Sequence, residues 1–209
     1  FTEGDTQFDN NGVQFIVNPY DEWSALVRAL ELKEAQGGSV TTITVGEADC
    51  DPVIRKALAI GADDAVRIDA NPTDALQVAS LIANHASDGG YDLVLCGKET
   101  IDHNGSVVGG MLAELMNASF VSLATSLEVE GGVVKATREA GGGLESVEAS
   151  LPAVVSAAKG MAEQRIPNMR GIMAARTKPL NVVPAGDVLQ GASVVKFELP
   201  PAKGACKIV

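Results

Sequence analysis

Asp92-Leu93-Val94-Leu95-Cys96 is a nearly all-apolar run that breaks into Gly97-Lys98. A strand lacking polar alternation has no face for water, which is the pattern of a strand covered on both sides in a parallel sheet. Working outward, the same punctuation repeats. Val40 to Val45 and Ala65 to Ile68 read as strands. Between them, Asp51-Pro52 opens a helix carrying Ile54, Ala57 and Leu58, and Gly61 closes it. Thr73 to Ala86 reads as a further helix. Upstream, Phe15-Ile16-Val17 is strand-like, and Asn18-Pro19-Tyr20-Asp21-Glu22 looks like a helix start with Asn as cap, Pro at the first position and acids at the positive end of the dipole. Trp23, Leu26, Val27 and Leu30 continue it at helical spacing as far as Gly37-Gly38. Strands alternating with helices predict βαβ units in an α/β, Rossmann-like, open and mostly parallel sheet flanked by helices, with ligands at the carboxyl ends of strands.

Beyond a helix expected from Ser106 to about Asn117, the pattern changes. Val121 to Val129, Val133 to Arg138 and Glu145 to Ser150 alternate around Gly131-Gly132 and Gly141-Gly142-Gly143, the mark of an antiparallel meander. Pro152 to Ser156 is expected to return to the sheet, and a helix from Met169 to about Arg176 precedes a Pro/Gly-punctuated C-terminal arm. The expected division is residues 1–178 as the α/β domain and 179–209 as the arm.

The 209 residues carry 16 basic and 27 acidic side chains, a net charge of −11, with 46% hydrophobic residues. Disorder and collagen-like repeats are excluded by that composition. The negative charge repels nucleic acid and anionic membranes unless a local basic patch intervenes. With neither a secretory signal nor an apolar run of the roughly 18 residues a membrane span needs, the chain reads as soluble and intracellular. Cys50, Cys96 and Cys206 lack CxxC spacing, so neither a disulfide framework nor a metal site is expected. The sequence starts at Phe1, which suggests that the natural start lies upstream.

The loop Gly97-Lys98-Glu99-Thr100-Ile101-Asp102-His103-Asn104-Gly105-Ser106 joins a buried strand to a helix N-terminus. Backbone N–H groups backed by the helix dipole, with Lys98 beside them, make a seat for phosphate. It is neither a Walker A loop nor GxGxxG, so a nucleotide seat and an ordinary long connection both stand. Asp102 and His103 are adjacent and seldom face each other, which argues against an acid/base pair. Cys50 precedes a helix, where a thiol can ionise more readily, or else it packs. Met169 and Met173, at i and i+4, serve either a core or an adaptable protein contact.

At these residues the chain resembles the β subunit of electron transfer flavoprotein. The most specific stretch is Val134 to Ser156, with a basic residue, a Gly-rich turn, Glu145-x-Val147 and then Pro152-x-Val154-Val155. Asn18-Pro19, Arg55-x-Ala57-Leu58-Ala59-x-Gly61-Ala62-Asp63 and Gly97-Lys98-x-x-Ile101-Asp102 are similar to further family blocks, in order and at family spacing. The resemblance implies a heterodimer with an α subunit that holds most of a shared FAD. It implies electron flow from flavin dehydrogenases to a membrane quinone oxidoreductase, without independent catalysis, in the bacterial cytoplasm. It also implies a nucleotide within the β subunit, AMP ordinarily or a second FAD in bifurcating members. Carried over, that site falls on Asn18, Pro19, Tyr20, Asp21, Cys50, Gly97, Lys98, Ile101, Asp102, His103, Asn104, Gly105, Ser106, Val107 and Val108. Glu163 to Met173 resembles the loop that docks dehydrogenases, which nominates Glu163, Arg165, Met169, Ile172 and Met173, with Met169 as the apolar anchor. Ordinary members carry Asn-Gln-Thr near the end of the nucleotide loop and bifurcating ones Gln-Val-Gly, whereas here Ser106-Val107-Val108-Gly109 leaves Ser106 as the remaining side-chain donor. The family also has a first strand before the Asn-Pro helix and a last helix after the arm, both expected to be missing here. A reading from another class is a stand-alone ATP- or AMP-binding domain of the universal-stress kind, and the Gly-rich signature and the arm speak against it.

Overall fold

The computed structural model describes residues 1–204; Cys206 and the end of the expected arm lie outside the described residues. Helix α1 (Asp21–Gln36) leads to strand β1 (Thr41–Val45), then through a single 3-10 turn at Ala48–Cys50 to α2 (Asp51–Ile60) and β2 (Asp64–Asp69). Next come α3 (Ala75–Gly89), β3 (Leu93–Gly97) and α4 (Val108–Leu115). Strands β4 (Ser119–Glu130), β5 (Val133–Ala140) and β6 (Gly143–Ser150) form the meander, and β7 (Ala153–Ala157), α5 (Met169–Ala175) and β8 (Leu180–Pro184) complete the order. The α/β class holds, and every ladder outside the meander is parallel.

The strands fall into two hydrogen-bonded sets, β1-β2-β8 and β3-β7-β4-β5-β6, where the alternation alone suggests one sheet. The facing edges of β1 and β3 have no ladder between them among the described residues. Two helices hold the halves together. Helix α1 places Ala25 in the core of the larger sheet, with Val121, Ala124 and Val155, and Leu30 in the core under α2, with Ile54 and Leu58. Helix α3 does the same from the other side, Leu81 against Val66 and Ile68, Ala79 and Ala83 against Leu112 and Val154. Small side chains at these positions let helix axes sit close to strands, and burying them supplies the main cohesion.

The meander depends on local backbone chemistry. Gly131 and Gly132 (φ 57° and 82°) and Gly141 and Gly142 (φ 58° and 83°) close its hairpins with paired positive φ, the geometry that matches strand twist. Strand β4 is parallel to β7 from Ser119 to Ala124 and antiparallel to β5 from Ala124 to Glu130, and both registers shift around Ala124. A bulge there brings Leu123 to φ 58°, and its N–H donates to the buried Ser156 hydroxyl at 3.0 Å.

Three sequence expectations are corrected. Phe15 to Val17 make no strand; Phe15 and Ile16 lie 45% and 57% exposed, without a neighbouring strand to pair with. Helix α1 starts at Asp21, because Asn18 spends its side-chain oxygen on the Tyr20 N–H (3.2 Å) in a turn instead of capping the helix. The tail after Lys178 is not all arm: Leu180–Pro184 pairs with β2 from Ala65 to Asp69. Its short polar-interrupted run lacks a period because it is an edge strand with Val182 half exposed.

Candidate functional site

The loop after β3 is built by a carboxylate that sequence reasoning passed over. Glu99 accepts from the Ser106 hydroxyl at 2.7 Å and pairs with the Lys98 ammonium at 2.9 Å, so one side chain ties both ends of the turn. The pair holds the Lys98 ammonium above and the Glu99 carboxyl below their ordinary ranges. The Glu99 carbonyl in turn accepts from the Asn18 amide at 2.7 Å, which fastens the start of α1 to this loop. Asn104 and Ser106 take positive φ, 49° and 54°, to bring the chain into α4. The structure therefore joins Asn18, Asp21, Lys98, Glu99 and Ser106, with Lys98 and Ser106, expected as ligands of a phosphate, bonded to Glu99.

What remains for an anion is backbone. Helix α4 starts at Val108, two residues later than expected, and no side chain caps it at Val107. Its first-turn N–H groups are thus without intrahelical partners, while Gly109 and Gly110 in that turn let α4 pack closely on Phe120 and Cys96. The surrounding side chains are acidic. Asp21 is buried, and burial pushes its carboxyl up. Burial likewise pushes Glu22 up to about 7, although Asn18 hydrogen-bonds it. Its Oε2 is buried without a hydrogen-bond partner among the described residues. Asp102 Oδ1 accepts from the His103 N–H at 3.0 Å, so the two adjacent side chains make no acid/base pair, and hydrogen bonding by Thr100 lowers the Asp102 carboxyl. Tyr20, Ile101 and Val107 are exposed, and His103 and Gly105 stand on the open side of the loop.

Cys50 belongs to a neighbouring turn at the end of β1, and no hydrogen bond or ion pair joins it to the Asn18–Glu99 group among the described residues. Burial, and then Asp49, push its thiol up, so the expected ease of ionisation is not met. Arg67, buried and not foreseen, fixes this turn. Its Nη1 donates to the Gly46 carbonyl (2.9 Å) and to Asp69 (2.5 Å), and its Nε lies 2.9 Å from Asp51 as an ion pair without hydrogen-bond alignment. An arginine between Val66 and Ile68 reads as an interruption in a strand, and only the fold shows what it reaches.

The second set lies on the segment before and within α5. Asn168 caps α5, accepting from the Gly171 N–H at 2.8 Å. Ile166, Met169 and Met173 are 90%, 74% and 56% exposed, so the methionine pair serves a surface and not a core. Arg165 grips Glu34 of α1 through both guanidinium nitrogens, at 2.6 and 2.8 Å, and Gln164 donates to the Pro19 carbonyl. Glu163 and Ile172 are exposed beside them. Helices α2 and α5 are locked reciprocally: Arg55 donates to the Ala175 and Lys178 carbonyls (2.8 and 2.7 Å), and Lys178 donates to the Leu58 and Ala62 carbonyls. Two of these acceptors, Ala175 and Leu58, are terminal helix carbonyls without a further turn to pair them, and Lys178 and Ala62 lie just past the helix ends.

Residues 5–188 match the sequence profile of the Electron transfer flavoprotein domain. The chain is 33% identical over 214 residues to the electron transfer flavoprotein subunit beta of Bacillus subtilis, covering 97% of this chain and 83% of that one. It is 34% identical over 203 residues to the subunit of the same name from Syntrophomonas wolfei (96% and 80%), and 35% identical over 205 residues to that of Homo sapiens (93% and 80%). The chain belongs to the electron transfer flavoprotein family. Within that family its likeness is to the β subunit, across both residue sets described above. Among the described residues no helix is long and apolar enough to cross a membrane, and no cluster of metal-ligating side chains is found.

Proposed function

We propose that this chain is an electron transfer flavoprotein β subunit that pairs with an FAD-holding α subunit, accepts electrons from flavin dehydrogenases through the α-held flavin and delivers them to a quinone oxidoreductase. The observation that carries the reading is likeness to named β subunits over nearly the whole chain at 33 to 36% identity. The FAD supplies the electron-accepting and electron-releasing chemistry when bound, and this chain supplies no catalytic group of its own.

Its own residues hold a nucleotide and present a docking surface. The uncapped first turn of α4 fits a phosphate, since backbone N–H groups donate without needing the lysine that Glu99 occupies. Gly97 and Asn18 bring the α1 start against that loop, and Cys50 bounds the neighbouring strand end. AMP is the proposed occupant. The exposed Met169, with Ile166 and Met173, gives an apolar, deformable contact for a dehydrogenase. Approach distance to the α-held flavin is then set by how closely this surface seats.

Met169→Ala in the heterodimer is expected to slow flavin reduction by a donor dehydrogenase about tenfold, with flavin content unchanged. Unchanged kinetics would remove the docking role. Mass spectrometry of the small molecules released on denaturing the heterodimer is expected to give AMP and one equivalent of FAD. Two FAD per heterodimer and no AMP would instead make this a bifurcating subunit with its own flavin.

A further inference from the structure

Between α2 and α5 lies a cleft of about 310 Å³, floored by Ala59, Pro167, Ile172 and Ala175 and walled by Lys56 and Arg176. Its lining is almost wholly apolar, and Ile172 in it belongs to the same helix, α5, as the exposed Met169 and Met173. The charge around it runs against the rest of the molecule. The chain carries −11 overall. Yet Lys56, Arg170 and Arg176 have no carboxylate within ion-pair distance among the described residues. Arg55 and Lys178, on the same two helices and their flank, hold backbone carbonyls, and the acid that Lys178 feels nearby, Asp63, is already paired by Lys33. Past Asp51, α2 has no acidic residue, and neither does the stretch from Pro167 to Pro179. Asp63 is engaged by Lys33 at 2.6 Å and Glu34 by Arg165 at 2.6 Å, while Asp49 lines the adjoining cavity on the other side of Lys56 without an ion pair to it.

A patch that keeps its cations unpaired on an acidic body attracts carboxylates at short range, within about a Debye length, where the local groups and not the net charge set the field. An apolar slot inside that ring accepts one aliphatic side chain and desolvates the charge pairs that close around it. We infer that the α2–α5 cleft is a docking site for a partner segment that inserts an aliphatic side chain flanked by carboxylates. This deepens the docking reading of the Met169 surface and rests on it for the identity of the partner as a dehydrogenase.

The test uses the co-purified heterodimer and two fluorescent peptides, one with leucines flanked by glutamates and one in which lysines replace the glutamates. The acidic peptide is expected to bind at least about tenfold more tightly than the basic one at low ionic strength. Its affinity is expected to fall as salt rises, and to fall about tenfold in the Lys56→Glu/Arg176→Glu double variant, whose thermal midpoint and flavin content are unchanged. Equal binding of the two peptides, or undiminished binding by the double variant, overturns the inference. If the acidic peptide fails to bind while Met169→Ala still slows reduction, the docking reading stands and this assignment falls. If the peptide binds as expected but Met169→Ala changes nothing, the cleft serves an acidic partner other than the dehydrogenase.

Discussion

Two glycines mark the places where a helix meets main chain most closely at the two sites. A side-chain carbon added at Gly97 would stand 2.8 Å from the Glu22 backbone nitrogen, at the first turn of α1. One added at Gly171 would stand 3.3 Å from the Ala59 carbonyl carbon and closer still to its oxygen, at the end of α2. Both are close approaches, but they serve opposite electrostatics. At Gly97 the side chains are acidic and an anion must rely on backbone donors. At Gly171 the backbone is satisfied by Arg55, Lys178 and Asn168, and the recognition is left to side chains. A net charge of −11 therefore says little about either site, since each is determined by groups within a few ångströms.

Substituting each glycine separates the two. Gly171→Ala forces α5 away from α2 and is expected to cost about 1–3 kcal/mol of stability. It should also weaken capture of dehydrogenase while bound nucleotide is retained, as read by urea unfolding and by nucleotide content. Gly97→Ala, with a similar cost, should show the reverse, loss of nucleotide with docking kinetics retained. If either substitution abolishes both functions, the two sites are not separable and the contrast fails.

A smaller effect sharpens the acidic side of the contrast. Glu22 has a folded-state value near 7, above the ordinary 4.5, so the native chain holds this proton more tightly than the unfolded chain. Its contribution to stability is complete below about 4.5 and is lost as pH rises through about 7. Glu22→Gln should therefore raise the thermal midpoint above pH 7 and leave it unchanged near 4.5, flattening the profile between. Melting curves across that range decide it. The smallest effect belongs to the clasp on α1: Arg165→Met removes a largely solvent-exposed ion pair to Glu34 and should cost about 0.5 kcal/mol by urea unfolding.

Much of this was legible in the residues. The apolar run ending at Cys96, the Asp51-Pro52 helix start and the glycine pairs of the meander each express a local rule, and each formed where expected. What failed depended on partners distant in sequence. Leu180–Pro184 is a strand only because β2 offers it an edge, whereas Phe15 to Val17 pair with no strand. At the loop, Lys98 looked available because sequence cannot show that its neighbour Glu99 turns back to bind it and Ser106 together. On α5 the methionine spacing is visible in the sequence but its exposure is not, since period alone does not say which face a helix buries.

Helix α2 begins at Asp51, next to the turn that Arg67 clamps, and ends at Ile60 beside the cleft to which it contributes Lys56 and Ala59. Its 10 residues make a rod of about 15 Å, buried along one side by Ile54, Leu58 and Ala59. A rod so held has few ways to yield at one end alone. Any free energy by which a seated partner shifts it is shared with the Gly46–Cys50 turn, and thermodynamic reciprocity requires a nucleotide that tightens that turn to favour the partner by the same factor. On the proposed function, nucleotide occupancy and partner docking are therefore coupled through a single helix.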